Sequence, residues 1–410
     1  MRVGLYLHNY TPVSGGAYTF QFEILKAISE LSHRSAHQFF LLAHPHEGRF
    51  SQHDLSDQIQ LIPIEQPPTH SEMPDSHQKG WLKLRQKQVV SVPAEPEYHG
   101  LSAFDQTARK HGIEFVWFLT PAYELTDIPY IATVWDLQHR LQPWFPEVGN
   151  LVEWNGRESY VSVFLRRAAY IIVPNETGRK ELHLFYQIPE ERIICLPHPT
   201  PQLISITADE EQKILTTHGL KPGFLFYPAQ YWPHKNHASL LYSLKILKET
   251  YHLVLPAVFV GSDKGNIDYL KKLVVELGVE SQVHFLGFVT DSEMTALYKN
   301  ALALVYLSFF GPENLPPLEA FSVGCPVIAS RVNGASEQLG DAALLVSSTN
   351  SDEIALAIKS LMDDLQQRQL LLARGFERAK KATSNDYVSQ VFALLDEFEP
   401  IRRAWGSWFS

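Results

Sequence analysis

The feature that most restricts the fold of this chain is a recurring short apolar run in which polar residues do not alternate. Seven runs occupy the first half: Val3 to Leu7, Phe39 to Ala43, Ile59 to Ile64, Phe115 to Leu119, Tyr130 to Trp135, Tyr170 to Pro174 and Ile193 to Pro197. Six occupy the second: Phe224 to Ala229, Val254 to Gly261, Val283 to Gly287, Leu302 to Ser308, Pro326 to Ser330 and Ala343 to Ser347. A strand with one wet face alternates apolar and polar side chains, whereas a strand that is apolar throughout is covered on both faces. Amphipathic stretches separate the runs, so the expected class is α/β, with two Rossmann-like doubly wound domains. Three prolines within Leu196 to Pro201 cannot continue a helix or a central strand and mark a linker. The expected division is a first domain over 1–198, a linker over 199–221, a second domain over 222–385, and a helix and tail over 386–410. Val, Phe and Leu at helical spacing from Tyr387 to Phe398 would pack that helix back on the first domain.

Charge and cysteine content narrow the partners. Lys and Arg number 35 against 45 Asp and Glu, a formal charge of −10, so no general attraction draws the chain to a phosphate backbone and nucleic acid is not an expected partner. Cys195 and Cys325 form neither a zinc spacing nor a disulfide framework, which suits a reducing cytoplasm. The apolar stretch at the N-terminus is too short for a signal-peptide core, and no run approaches the ~18 residues of a membrane-spanning helix. Residues 66–100 are proline-rich with little periodicity and read as a long loop. Within it, Lys79, Lys83, Arg85 and Lys87 interleave with Trp81, Leu82 and Leu84. That region is a candidate for peripheral membrane contact at the inner face of a membrane, or for an anionic acceptor, although a solvated loop with snorkelling lysine stems is the simpler reading.

The densest chemical signal runs from Phe309 to Ile328. A strand ends near Ser308, Gly311 and Pro312 turn the chain, and Pro316 and Pro317 fit only the first turn of a helix that runs to Gly324. Free N–H groups of Asn314 and Leu315 at that helix start would meet an anion such as a diphosphate. Glu319, farther along the same helix, can accept hydrogen bonds from ribose hydroxyls. Lys235 follows the strand at Tyr227 and Pro228 and is a compact cation for a diphosphate. Gly15 and Gly16 follow the first strand and let backbone approach a ligand closely, without the spacing of a dinucleotide fingerprint. Asp136, His139 and Arg140 end the strand from Tyr130 and would project polar groups toward a ligand. No carboxylate or His/Cys grouping has a metal-ligand spacing, so no metal and no cofactor are expected.

Together these segments resemble the retaining glycosyltransferases of family 4, over most of the chain. The resemblance rests on the Phe309 to Ile328 string, with weaker echoes at Gly15 and Gly16, Pro228 to His237 and Val283 to Tyr298. It implies a GT-B fold, in which the two domains face each other across a cleft. It further implies a metal-independent transferase that moves a sugar, most simply a hexose, from a nucleoside diphosphate sugar to a hydroxyl of a glycan, lipid-linked or small-molecule acceptor. The acceptor would lie on the first domain and the nucleotide sugar on the second. In the family a pair of glutamates stands eight residues apart; Glu319 matches the second, Gly311 takes the place of the first, and Glu313 is the nearest substitute for its sugar contact. The family's Arg and Lys pair falls on Gln230 and Lys235, and its cleft histidine on Trp135. Phe288 and Val289 would border the base. The implied catalytic set is Lys235, Asp136, His139 and Glu313, and the implied donor set is Gly15, Gly16, Gln230, Lys235, Phe288, Val289, Asn314, Leu315 and Glu319. The alternatives are a non-catalytic sugar-nucleotide-binding or scaffold subunit and, in third place, a sugar-nucleotide epimerase of the same architecture.

Overall fold

The structure, a computed structural model, describes residues 1–44, 57–64 and 102–405. The proline-rich 66–100 stretch, with its 79–87 cations, lies outside the described residues. The first sheet has seven strands, β1 (Arg2–Leu7), β2 (Gln38–Ala43), β3 (Ile59–Pro63), β4 (Phe115–Phe118), β5 (Tyr130–Thr133), β6 (Tyr170–Val173) and β7 (Ile193–Cys195). Six strands make the second: β8 (Phe224–Pro228), β9 (Ala257–Val260), β10 (Val283–Gly287), β11 (Ala301–Tyr306), β12 (Val327–Ser330) and β13 (Ala343–Val346). Each expected run overlaps one of them. Every pairing is parallel, in the orders β3-β2-β1-β4-β5-β6-β7 and β10-β9-β8-β11-β12-β13. The run from Val254 starts its strand only at Ala257, because Pro256 has no N–H for a ladder and Val254 is 62% exposed.

The helix Ser384–Arg403 leaves the second half and lies against the helix Gly16–Leu31 of the first. Val388, Val391 and Leu395 are fully buried there among Val3, Leu5 and Ile24. Phe392 stacks on Phe39 at 4.9 Å, and Phe398 meets Phe115 edge-on at 4.8 Å. The chain thus crosses between its halves twice, and the crossings touch where the Thr200 N–H donates to Ala382 O at 2.9 Å. Among the described residues no helix is long and apolar enough to cross a membrane.

Because the returning helix is held by apolar burial, Leu395→Ala should cost about 2 to 5 kcal/mol, the usual range for emptying a buried leucine site. Leu365→Ala, at a position 64% exposed, should change stability by less than about 0.5 kcal/mol. Denaturant titration of the two variants checks the contrast.

Candidate functional site

In a doubly wound sheet the ligand crevice opens at the carboxyl ends of the strands where the order reverses. That point lies between β1 and β4 in the first sheet and between β8 and β11 in the second. Past β1 the chain reaches Gly15, whose φ of 67° is left-handed, and enters the helix Gly16–Leu31. Past β11 it reaches Asn314 and enters the helix Leu315–Val323, with its prolines in the first turn and left-handed Gly324 (φ 75°) as its stop. The two helix starts meet. A Cβ on Gly16 would stand 3.4 Å from Leu315 Cδ1, and one on Gly15 would stand 3.8 Å from Gln230 Nε2. Leu315 is itself buried in the core of the first half. Two helix N-termini, each with the positive end of its dipole, therefore converge from opposite halves.

Lys235 joins them from the loop after β8. Buried Tyr227 donates its hydroxyl to Lys235 O and accepts the Leu307 N–H at 2.9 Å. Asn236, left-handed at φ 53°, donates its amide to Leu307 O at 3.0 Å and Ser348 O at 2.7 Å. The fixed backbone sends Lys235 Nζ to the Tyr306 hydroxyl at 2.9 Å and to Asn314 Oδ1 at 3.5 Å. Gln230 accepts the Trp232 indole N–H at 3.0 Å. Glu319 accepts the Tyr298 hydroxyl at 2.6 Å, and burial raises its pKa against the pull of that bond. Phe288 is 56% exposed beyond β10, whereas Val289 is buried in the core of the second half and offers a ligand only its backbone.

Four expectations differ from what the structure shows. The Asn314 N–H is not free, because Gln338 Oε1 accepts it at 3.0 Å while Gln338 Nε2 donates to Asn314 O at 2.7 Å. Glu313 does not reach back to the place of Gly311. It turns to the linker and accepts the His198 N–H at 2.7 Å, with its side chain 3% exposed. His139 does not face the cleft: its ring is 1% exposed and its Nε2 meets Glu158 at 2.8 Å and the Tyr186 hydroxyl at 3.1 Å. Arg140 is held by the same Glu158 and Tyr186. Asp136 keeps a partly exposed carboxylate, bonded to the Gln138 N–H at 2.9 Å and to Arg157 at 3.0 Å. Burial raises its pKa, but the charge and hydrogen bond of Arg157, the Gln138 N–H and His234 together outweigh it, and the net shift is downward.

Sequence reading also missed residues that join the halves. Glu147 of the first half binds both the ring Nδ1 and the backbone N–H of His234, the latter at 3.1 Å. Glu337 of the second half accepts the Glu176 N–H at 3.0 Å and the Thr177 N–H at 3.1 Å, at the start of the helix Glu176–Tyr186. Asn175 Nδ2 donates to Pro312 O at 3.0 Å, and Gln142 Nε2 to Phe309 O at 3.0 Å. The partners lie far apart in sequence and share no local spacing, so only the unusual His-Lys pair after Trp-Pro hinted at the place. Among the described residues no cluster of three or more His, Cys, Asp or Glu could hold a metal ion.

The Glu313 and His198 side chains approach to 3.4 Å without forming an ion pair at neutral pH. Burial lifts the Glu313 carboxyl to about 8 and drops the His198 imidazole to about 4, so both are neutral at pH 7. A carboxyl whose folded pKa lies above its unfolded value favours folding below the unfolded pKa, and that contribution is lost as pH rises through the folded pKa. Wild-type stability should therefore fall between pH 6 and 8 through this group. Glu313→Gln should flatten that slope, which melting curves at the two pH values measure.

Residues 209–378 match the family described as glycosyl transferases group 1. O-antigen chain mannosyltransferase B of Escherichia coli is 28% identical over 228 residues, covering 55% of this chain and 60% of that protein, so the chain spans about three fifths of this relative. Sucrose-phosphate synthase from Thermosynechococcus elongatus superposes with a TM-score of 0.70 at 16% identity, over 98% of this chain and 99% of that one. HepE of Anabaena, solved in complex with UDP, gives 0.67 at 16% identity over 97% and 100%. The whole chain thus has the GT-B fold, and residues 209–378 within it match the glycosyl transferases group 1 family.

Proposed function

We propose that the protein is a retaining, metal-independent glycosyltransferase that moves a hexosyl group from a nucleoside diphosphate sugar to an acceptor hydroxyl in glycan, polysaccharide or glycolipid biosynthesis. The observation that carries this reading is the convergence of two helix N-termini and Lys235 at the switch points of two facing sheets. Such a site offers fixed positive potential where a diphosphate accumulates charge, which is what departure of a nucleotide requires. The donor would lie on residues 222–385, with Glu319 at the ribose and Phe288 and the neighbouring backbone at the base. The acceptor would lie on residues 1–198, with Asp136 as the carboxylate available to an acceptor hydroxyl. In the step itself, the acceptor oxygen bonds to the anomeric carbon as the carbon–phosphate oxygen bond breaks on the same face. The departing phosphate takes the acceptor proton, so no protein nucleophile is needed. Closure of the cleft keeps water from competing. The chain's own cation does the work at the leaving group, and the reaction would proceed in the cytoplasm. The name of the Escherichia coli relative makes a mannosyl donor and an O-antigen-like polysaccharide acceptor the first pair to test.

A second reading, a sugar-nucleotide binder without transfer, draws support from Gly311 and Gln230 standing where the resembling family has charged residues, and from Glu313 being turned away. A panel of labelled nucleotide sugars decides between the two. Released UDP, GDP or ADP with sugar on an acceptor is expected, and binding without release or transfer would favour the second reading.

Two outcomes follow for an active protein. Lys235→Ala should lower turnover by roughly tenfold or more at saturating donor with the fold intact, because its charge matters most as the diphosphate leaves. Turnover should survive EDTA; complete loss restored by Mg²⁺ or Mn²⁺ would overturn metal independence.

A further inference from the structure

The turn over residues 142–149 is built to meet the loops that carry Lys235 and Gly311. Val148 is buried within it, and a side chain at Gly149 would collide with Pro143 O at 1.9 Å, so the turn tolerates little change of shape. From it, Gln142 bonds to Phe309 O, and Phe145 stacks on Phe309 at 5.8 Å and stands edge-on to His234 at 6.3 Å. Glu147 grips His234 by ring and backbone. His234 in turn accepts the Phe309 N–H at 2.8 Å, so its position is shared by both loops, and the next residue is Lys235. Glu147 Oε2 is buried with no hydrogen-bond partner. Glu147 thus joins the first half to the turn that carries Lys235.

We infer that Glu147 is a positioning residue, which closes the first half onto the 233–236 turn through His234 and so holds Lys235 in place for the leaving diphosphate. The inference rests on the transfer reading above and gives closure a defined handle. A donor enters when the Glu147 to His234 contact is open, and Lys235 reaches its working position when the contact forms. The acceptor half thereby controls the cation of the donor half, which ties leaving-group departure to an assembled cleft.

Glu147→Ala and Glu147→Gln in the full chain test this. Glu147→Ala should lower kcat by about tenfold or more, while donor KM and calorimetric affinity for the bare nucleoside diphosphate stay within about twofold. Glu147→Gln, which keeps an acceptor for the His234 N–H, should recover part of the loss. Hydrogen exchange at the backbone amides of residues 234–236 should quicken in the alanine variant. Unchanged kcat, or an affinity loss as large as the kcat loss, would overturn the assignment, the latter by showing that Glu147 only maintains the donor loop. If the wild-type chain turns over no donor in the panel, the transfer reading fails by itself, and the exchange measurement still decides whether Glu147 holds the turn: no change overturns it.

Discussion

A parallel sheet delivers the carboxyl ends of all its strands to one edge, and this chain sets two such edges against each other. Everything at the site follows from that constraint. The loops after β1, β8 and β11 all open into the crevice because the strand order reverses beside each of them. Gly15, at φ 67°, turns the first loop into its helix, and Gln230 and Leu315 of the other half lie close beside Gly15 and Gly16, so two helix starts share one space. The returning helix Ser384–Arg403 keeps the edges opposed by burying its apolar face in the first half, while Leu315 joins the same core from the other side. A donor-side residue is thus part of the packing of the opposite half.

The electrostatics of the cleft are managed by keeping its carboxylates away from the helix starts. Glu313 is neutralised by burial and faces the linker. Glu337 is spent on the amides of the helix Glu176–Tyr186, and Asp136 is matched by Arg157. Burial would raise Glu147, but the hydrogen bond and charge of His234 prevail and lower it. His234 is itself lowered, first by burial and then by Lys235, with Glu147 and Asp136 pulling the other way. At the converging helix starts stand the Lys235 ammonium, the Asn314 side-chain amide and two dipole ends, a set that favours an anion.

The fold was readable because its signal is local. A run such as Phe224 to Ala229 has no polar face, so only a strand covered on both sides accommodates it, and Pro316 and Pro317 can stand only at a helix start. A residue's place beside the crevice was readable where such local geometry sets it, as with Lys235, Gly15 and Leu315. It was misread where the partner is distant. Nothing near His139 in sequence announces Tyr186, nothing near Asn314 announces Gln338, and a separation of 115 positions between His198 and Glu313 hides the bond that turns the glutamate to the end of the first domain. Those contacts depend on how the halves meet, and no periodicity records that.

The glycine at 311 is part of the same geometry and more than a lost carboxylate. Its φ of 135° lies in the region reserved for glycine, and a Cβ there would come within 2.5 Å of the Asn314 side-chain amide. Asn314 holds that position through its own bond to Gly311 O at 3.0 Å, and its Oδ1 accepts the Tyr306 hydroxyl at 3.2 Å beside Lys235. A glutamate at 311 would therefore have to displace Asn314, and with it one of the two polar groups that meet the ammonium. Placing a glutamate there by a single substitution would dismantle this loop, so positions 311 and 314 have to be exchanged together if a carboxylate is to stand at 311.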